Sequence, residues 1–315
     1  MDDSTRRALL LRRMAWLCVV LVLAITSLSA FIRLTRAGLG CADWPACYGQ
    51  ALREQQQGRT PAAHDSAAVV AARIAHRVVA SATLLLVAVM AMTCLGPRPR
   101  WWPEGRRALA LLALALFLAL LGRWSAAARV PAVTLGNLLA GFTMLALAWN
   151  LARNTGCAPR VRPSTGLRRW AMVAVAVLCV QIALGGLVSA GYAGLSCPDL
   201  AACDAQGVSW RALDPWHEPL LDTTHAGNPA GALLQQAHRL GALLLAALLL
   251  TLGGVALRRG PRAAGAALLA LVAVQVALGS VLVVGALPLP VALGHNLVAG
   301  LLLAATLDLA SPPLR

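Results

Sequence analysis

Lysine is absent from this 315-residue chain, and carboxylates are scarce: 27 arginines stand against 12 aspartates and glutamates. Charged residues are 12% of the chain and hydrophobic ones 59%. So little charge excludes an ordinary soluble domain, where charged side chains make up about a quarter of the sequence. Aromatics are also few, at 4%. Trp44, Trp101, Trp210 and Trp216 lie near the ends of apolar runs, where amphipathic rings settle at a membrane interface, and are read as anchors without a stacking role. Neither close cysteine pair has a second Cys or His pair beside it, which argues against a tetrahedral structural metal site.

What the chain has instead is long hydrophobic runs. Eight segments are long enough, or nearly so, to cross about 30 Å of hydrocarbon: 14–35, 69–95, 107–127, 131–152, 168–190, 232–257, 263–286 and 290–310. Arg123 interrupts the end of the third. Lipid admits only helices or closed barrels, so runs of this length predict an all-α membrane protein. The net charge of +15 would suit nucleic acid, but its placement excludes that reading. Arginines crowd before the first span and in alternate connections, as Arg6, Arg7, Arg12 and Arg13, then Arg98, Arg100, Arg106 and Arg107, then Arg153 to Arg169, then Arg258, Arg259 and Arg262. The intervening loops hold most of the acids. That alternation predicts both termini in the cytoplasm. The first span has a basic start, and Ser27-Leu-Ser-Ala30 resembles a cleavage site. Its length, and the repetition of its end later in the chain, predict a retained helix.

Two halves repeat. Cys41, Asp43 and Cys47 after the first span match Cys197, Asp199 and Cys203 after the fifth. Ala75-His76-Arg77 matches Ala237-His238-Arg239, and Leu135-Gly136-Asn137 matches Leu293-Gly294-His295. The offsets are 156, 162 and 158 residues. The expected architecture is therefore two tandem four-helix units in parallel orientation, 14–152 and 168–310, joined by a cytoplasmic linker at 153–167. The close cysteine pairs favour disulfides on an oxidising face, with a labile redox role left open.

His238 and Arg239 sit inside an apolar run. An Arg at a bilayer helix centre costs about 2.5–3.5 kcal/mol, so such residues face the bundle interior and mark candidate sites. His295 opens the last span at a matched depth, roughly 7–9 Å below its helix start. Two imidazoles at one level on neighbouring helices suit the axial positions of a haem iron, and four helices enclose a cofactor between facing side chains. The duplication then implies a second site around His76. The phrases Ala183-Leu-Gly-Gly186 and Ala277-Leu-Gly-Ser280, which follow Gln181 and Gln275, read as small-residue helix contacts, with room for a porphyrin as a secondary role. His64, His217 and His225 read as solvated loop residues.

This combination resembles the heme A synthase family over nearly the whole chain. The phrases that carry the resemblance are Gly38-Leu-Gly-Cys-Ala-Asp-Trp-Pro-Ala-Cys47, His76-Arg77 and Gln236-Ala-His-Arg239. It implies an oxidoreductase that converts haem O to haem A, oxidising a ring methyl to a formyl group through hydroxylated intermediates. It implies haem b in the C-terminal unit, with His238 and His295 as iron ligands and Arg239 beside them. The N-terminal unit would hold the substrate haem, with His76 on its iron and Arg77 next to it. Implied partners are haem O, haem O synthase, cytochrome oxidase assembly and the lipids of a bacterial inner membrane, with a homo-oligomer left open. The disulfides implied are Cys41–Cys47 and Cys197–Cys203.

Two positions depart from the family. Asn137 stands where a second histidine is usual, and Arg73 where a glutamate is usual. Arg73 cannot act as a general base, because it stays protonated, but its planar fork suits a carboxylate such as a haem propionate. Asp65 or Glu54 would be the replacement carboxylate. These departures keep two rivals open: a non-catalytic membrane haem b carrier, and a secondary transporter.

Overall fold

The computed structural model describes residues 2–60, 66–125, 129–155, 163–200, 203, 209–221 and 225–311. His64, Asp65, Cys157 and the middle of the expected linker, 156–162, lie outside the described residues. Among the described residues every long element is helical. In order these are α1 (Asp3–Arg36), α2 (Gln50–Gln56), α3 (Ala67–Leu95), α4 (Trp102–Ser125), α5 (Pro131–Asn154), α6 (Thr165–Ala190), α7 (Ala232–Arg259), α8 (Arg262–Val284) and α9 (Leu289–Ala310). Eight of them are long and apolar enough to cross a membrane; α2 is not.

The boundaries follow from local chemistry. Ser66 and Ser164 cap α3 and α6 by accepting from the amides of Val69 and Leu167. Pro131 and Pro290 sit in the first turns of α5 and α9, where a missing N–H costs nothing. The largest difference from expectation is at α1, which begins at Asp3 instead of near residue 14. Asp2 caps it, accepting from the Thr5 amide at 2.8 Å. The arginines of its first turns have partners: Arg7 donates to the carbonyls of Thr93 (2.8 Å), Cys94 (2.7 Å) and Pro99 (2.9 Å) and lies over the Trp101 ring. It satisfies the free carbonyls at the end of α3.

Helix packing follows the sequence repeat. In the first half α1 packs on α3, α3 on α4, α4 on α5 and α5 back on α1. In the second half α6 packs on α7, α7 on α8, α8 on α9 and α9 back on α6. Each half is thus a closed ring of four. The rings meet through α5 on α9, flanked by α5 on α6 and α1 on α9. Under the repeat offsets those two flanking contacts are equivalent to each other, as a two-fold relation along the helices requires. Each ring has its own apolar core. One is built on Leu11, Cys18, Met90, Leu111 and Leu151, the other on Leu178, Leu249, Leu268 and Leu302. Large apolar side chains such as Leu85, Leu116, Leu243 and Leu244 point outward, as a lipid-facing perimeter demands.

The two cysteine loops lie together at one end. Cys41 is bonded to Cys47 and Cys197 to Cys203. Tyr48 packs between Trp44 and Tyr192, with ring centroids 5.5 and 5.6 Å away, so Trp44 does have a ring-packing role. Burial pushes the Tyr48 phenol above its ordinary range and keeps it neutral. Gly38 has φ +105, and a Cβ there would run into the Cys47 carbonyl, so only glycine lets the loop close.

Candidate functional site

His238 is the seventh residue of α7 and His295 the seventh of α9. Both helices start at the cysteine-loop end: Leu287 and Leu289, at the entry to α9, pack with Tyr48 and Tyr192. α7 and α9 stand diagonally in their ring, each touching α6 and α8. Their equal depth puts both imidazoles on the wall of one cavity of about 390 Å³, a volume in the range of small-molecule and cofactor sites. Apolar side chains from α6 to α9 form most of its lining, including Leu178, Leu245, Val272 and Leu302. Two cations, Arg33 and Arg239, also line it, and among the described residues no carboxylate does.

Each imidazole is held by the helix that precedes its own. Gln181 on α6 places its amide nitrogen 2.9 Å from His238 Nδ1 and 2.8 Å from the His238 carbonyl oxygen. Gln275 on α8 places its amide nitrogen 3.2 Å from His295 Nε2. One turn further along each supporting helix is a glycine. A Cβ at Gly185 would lie 2.8 Å from His238 Cε1, and one at Gly279 would lie 3.2 Å from His295 Cε1. The rings occupy the space those side chains would take. Gly186, the other glycine of its pair, abuts Leu135 and Leu138 of α5 and serves helix packing. The expected division is therefore reversed at Gly185 and Gly279, which make room for imidazoles first.

Arg239 donates to the carbonyls of Asp199 (2.5 Å) and Cys197 (2.8 Å). It ties the second cysteine loop to the helix that carries His238. Arg33 comes from α1 in the other ring and donates to Ser189 Oγ of α6, its own counterpart under the 156-residue offset. It is a cavity residue that sequence reasoning missed, because Arg33 reads as an interfacial side chain at the end of a span.

In the first ring the named residues differ from those of the second in burial chiefly at Arg77, which is exposed where Arg239 is half-buried. His76 and Arg73 are half-buried on α3, Arg77 is exposed, and Asn137 is half-buried as the seventh residue of α5. Under the 156-residue offset Ile25 and Ser29 of α1 stand where α6 carries Gln181 and Gly185. Leu121 meets Gly136 as Leu278 meets Gly294, which sets Leu118 and Gly122 of α4 in the places of Gln275 and Gly279. Glu54 lies on α2, where it accepts from Gln50.

Over the cavity the two loops are knitted by a residue sequence reasoning did not single out. Arg53 of α2 is 9% exposed and donates to the carbonyls of Ala46 (2.8 Å), Tyr48 (2.9 Å) and His225 (3.2 Å). Gln56 adds a bond to the Pro219 carbonyl at 2.8 Å. His225 thus contributes its backbone, and exposed His217 pairs with Asp214.

Among the described residues, no three His, Cys, Asp or Glu side chains cluster as a metal shell. A metal bound by two diagonal imidazoles in an apolar cavity needs equatorial ligands of its own. The geometry defines a polytopic helical membrane protein with two imidazoles on the wall of one apolar cavity. The model of the family described as "Cytochrome oxidase assembly protein" matches residues 12–307. The chain belongs to that family. A heme A synthase from Shewanella oneidensis is 32% identical over 92% of this chain and 94% of its own length. Heme A synthases from Rhizorhabdus wittichii and Sphingopyxis alaskensis are 28% and 27% identical, over 92% and 94% of this chain and 90% of each relative.

Proposed function

We propose that this protein is a membrane oxidoreductase that converts haem O to haem A, in service of cytochrome oxidase assembly, with haem b resident in the C-terminal ring. The observation that carries the reading is the cavity wall, which among the described residues has two imidazoles at equal depth, two cations, no carboxylate and an apolar remainder. A porphyrin has the same character, with a metal needing axial nitrogen, an apolar face and anionic propionates. The glycine relief behind each ring and the buried, unbonded Nδ1 of His295 fit that group. Haem b would supply one-electron redox chemistry when bound. His238 and His295 would hold its iron. Arg33 and Arg239 offer cations toward carboxylates, and the apolar walls exclude water.

The N-terminal ring would take haem O as substrate, with His76 on its iron and Arg77 and Arg73 close by. Asn137 is a poor iron ligand, so that iron keeps one strong axial nitrogen and a coordination position open to oxygen chemistry. Electrons would leave through the C-terminal ring. Haem O synthase is the natural supplier of substrate, self-association is compatible with the exposed apolar perimeter, and the cysteine loops would face the periplasm from a bacterial inner membrane with both termini cytoplasmic.

Pigment extraction tests the function. Purified protein expressed with haem O should yield haem b together with haem A or hydroxylated haem O. Haem b alone would mean a carrier without chemistry, and no Soret absorption at all would favour a transporter.

A further inference from the structure

We infer that Gln181 and Gln275 are positioning residues for the two axial imidazoles, each setting ring orientation and proton location from the neighbouring helix. The inference rests on the haem reading above. Its observation is a second, shorter repeat inside the C-terminal half: Gln181-Ile-Ala-Leu-Gly185 on α6 and Gln275-Val-Ala-Leu-Gly279 on α8. Residues four apart lie on one helix face. On both helices the glutamine amide meets an imidazole nitrogen, and the glycine leaves the gap that the ring fills. The other nitrogens, His238 Nε2 and His295 Nδ1, have no hydrogen-bond partner among the described residues. Each ring thus has one nitrogen beside a glutamine amide and a second that no glutamine meets.

The choice of an amide has a physical reason. A ring nitrogen opposite a bound metal carries a proton and needs an acceptor. The same nitrogen in the metal-free tautomer needs a donor. A glutamine meets both demands by turning its amide end, with no charge brought into an apolar cavity. Gln275 Oε1 is buried without a hydrogen bond, so an acceptor stands in reserve beside His295. The missing side chain at Gly241 of α7 leaves the space that Gln181 Oε1 occupies. Neither glutamine touches a reacting group; both act through a histidine.

The test uses the full-length protein, purified with its haem, carrying Gln181→Leu, Gln181→Glu, Gln275→Leu or Gln275→Glu. The readouts are haem dissociation rate, ferric spin state and reduction potential. Each Leu variant should lose haem about ten-fold faster or more, as removal of such partners does elsewhere, and should mix high-spin iron into the spectrum. Each Glu variant should restore the low-spin spectrum and lower the potential, because a carboxylate draws on the ring proton and makes the imidazole a stronger donor. Wild-type dissociation rate, spin state and potential in all four variants would overturn the inference, and so would Glu variants as impaired as the Leu ones. Both of those outcomes leave the functional reading intact, whereas absence of low-spin haem from the unaltered protein overturns that reading and this inference with it.

Discussion

The two rings share one helix order and one loop design, yet they treat the equivalent histidine level differently. The C-terminal ring surrounds two imidazoles with two glutamines and two glycines. The N-terminal ring has one histidine, an asparagine opposite, and Ile25, Ser29 and Leu118 at supporting positions, with a glycine retained only at Gly122. The lesson is that duplication preserved the scaffold while the supports diverged. A site that must hold its group permanently needs rigid second contacts. A site through which substrate passes works better with a weaker grip.

The comparison can be broken most directly at the ligands. His238→Ala or His295→Ala should abolish the low-spin haem of the C-terminal ring, whereas His76→Ala should leave that signal in place and remove product, as read by absorption and pigment extraction. The next effect is steric. Gly185→Ala puts a methyl 2.8 Å from the His238 ring and should distort ligation. Gly279→Ala, at 3.2 Å from the His295 ring, should perturb the spectrum less. Overpacking of this kind costs about 1–3 kcal/mol, visible as a lower midpoint in thermal loss of the Soret band. Asn137→His would sharpen the contrast from the other side. It should add a second low-spin component when haem O is bound and slow product formation, because a second imidazole closes the open position.

Smaller effects belong to the frame. Arg53→Ala removes the guanidinium from three carbonyls, of which that of Tyr48 keeps the Gly227 N–H, and should destabilise the loops over the cavity by about 2 kcal/mol, read as faster amide exchange at Tyr48 and Gly227. Arg153→Ala removes a half-exposed ion pair with Asp308 at 3.3 Å. Its cost should stay under about 1 kcal/mol, within the scatter of a thermal melt.

The spans were legible because hydropathy reports the one requirement lipid imposes, and the repeat was legible because His-Arg and the cysteine pairs recur at near-constant offsets. The early start of α1 was not, since Arg6 to Arg13 look like a tail until Arg7 is seen closing the end of α3. The helix α2 was hidden for a related reason. Seven residues with five polar side chains have no spanning signal, and only the carbonyls of two distant loops explain a buried Arg53. The matched depth of His238 and His295 was legible from their places in the apolar runs, and both line one cavity. The use of Gln181 and Gln275 was not legible, because it depends on which helix faces which. The repeated Gln-x-Ala-Leu-Gly was the available signal; contact between α6 and α7, and between α8 and α9, turns it into a cradle.

The measurement that bears most directly on the account is low-temperature electron paramagnetic resonance of the oxidised full-length protein, with and without His295→Ala. The account predicts a low-spin ferric haem with two nitrogen axial ligands in the unaltered protein, and its disappearance in the variant while His76 remains. A low-spin signal that survives loss of His295 would place the cofactor elsewhere and contradict the paired-imidazole cavity.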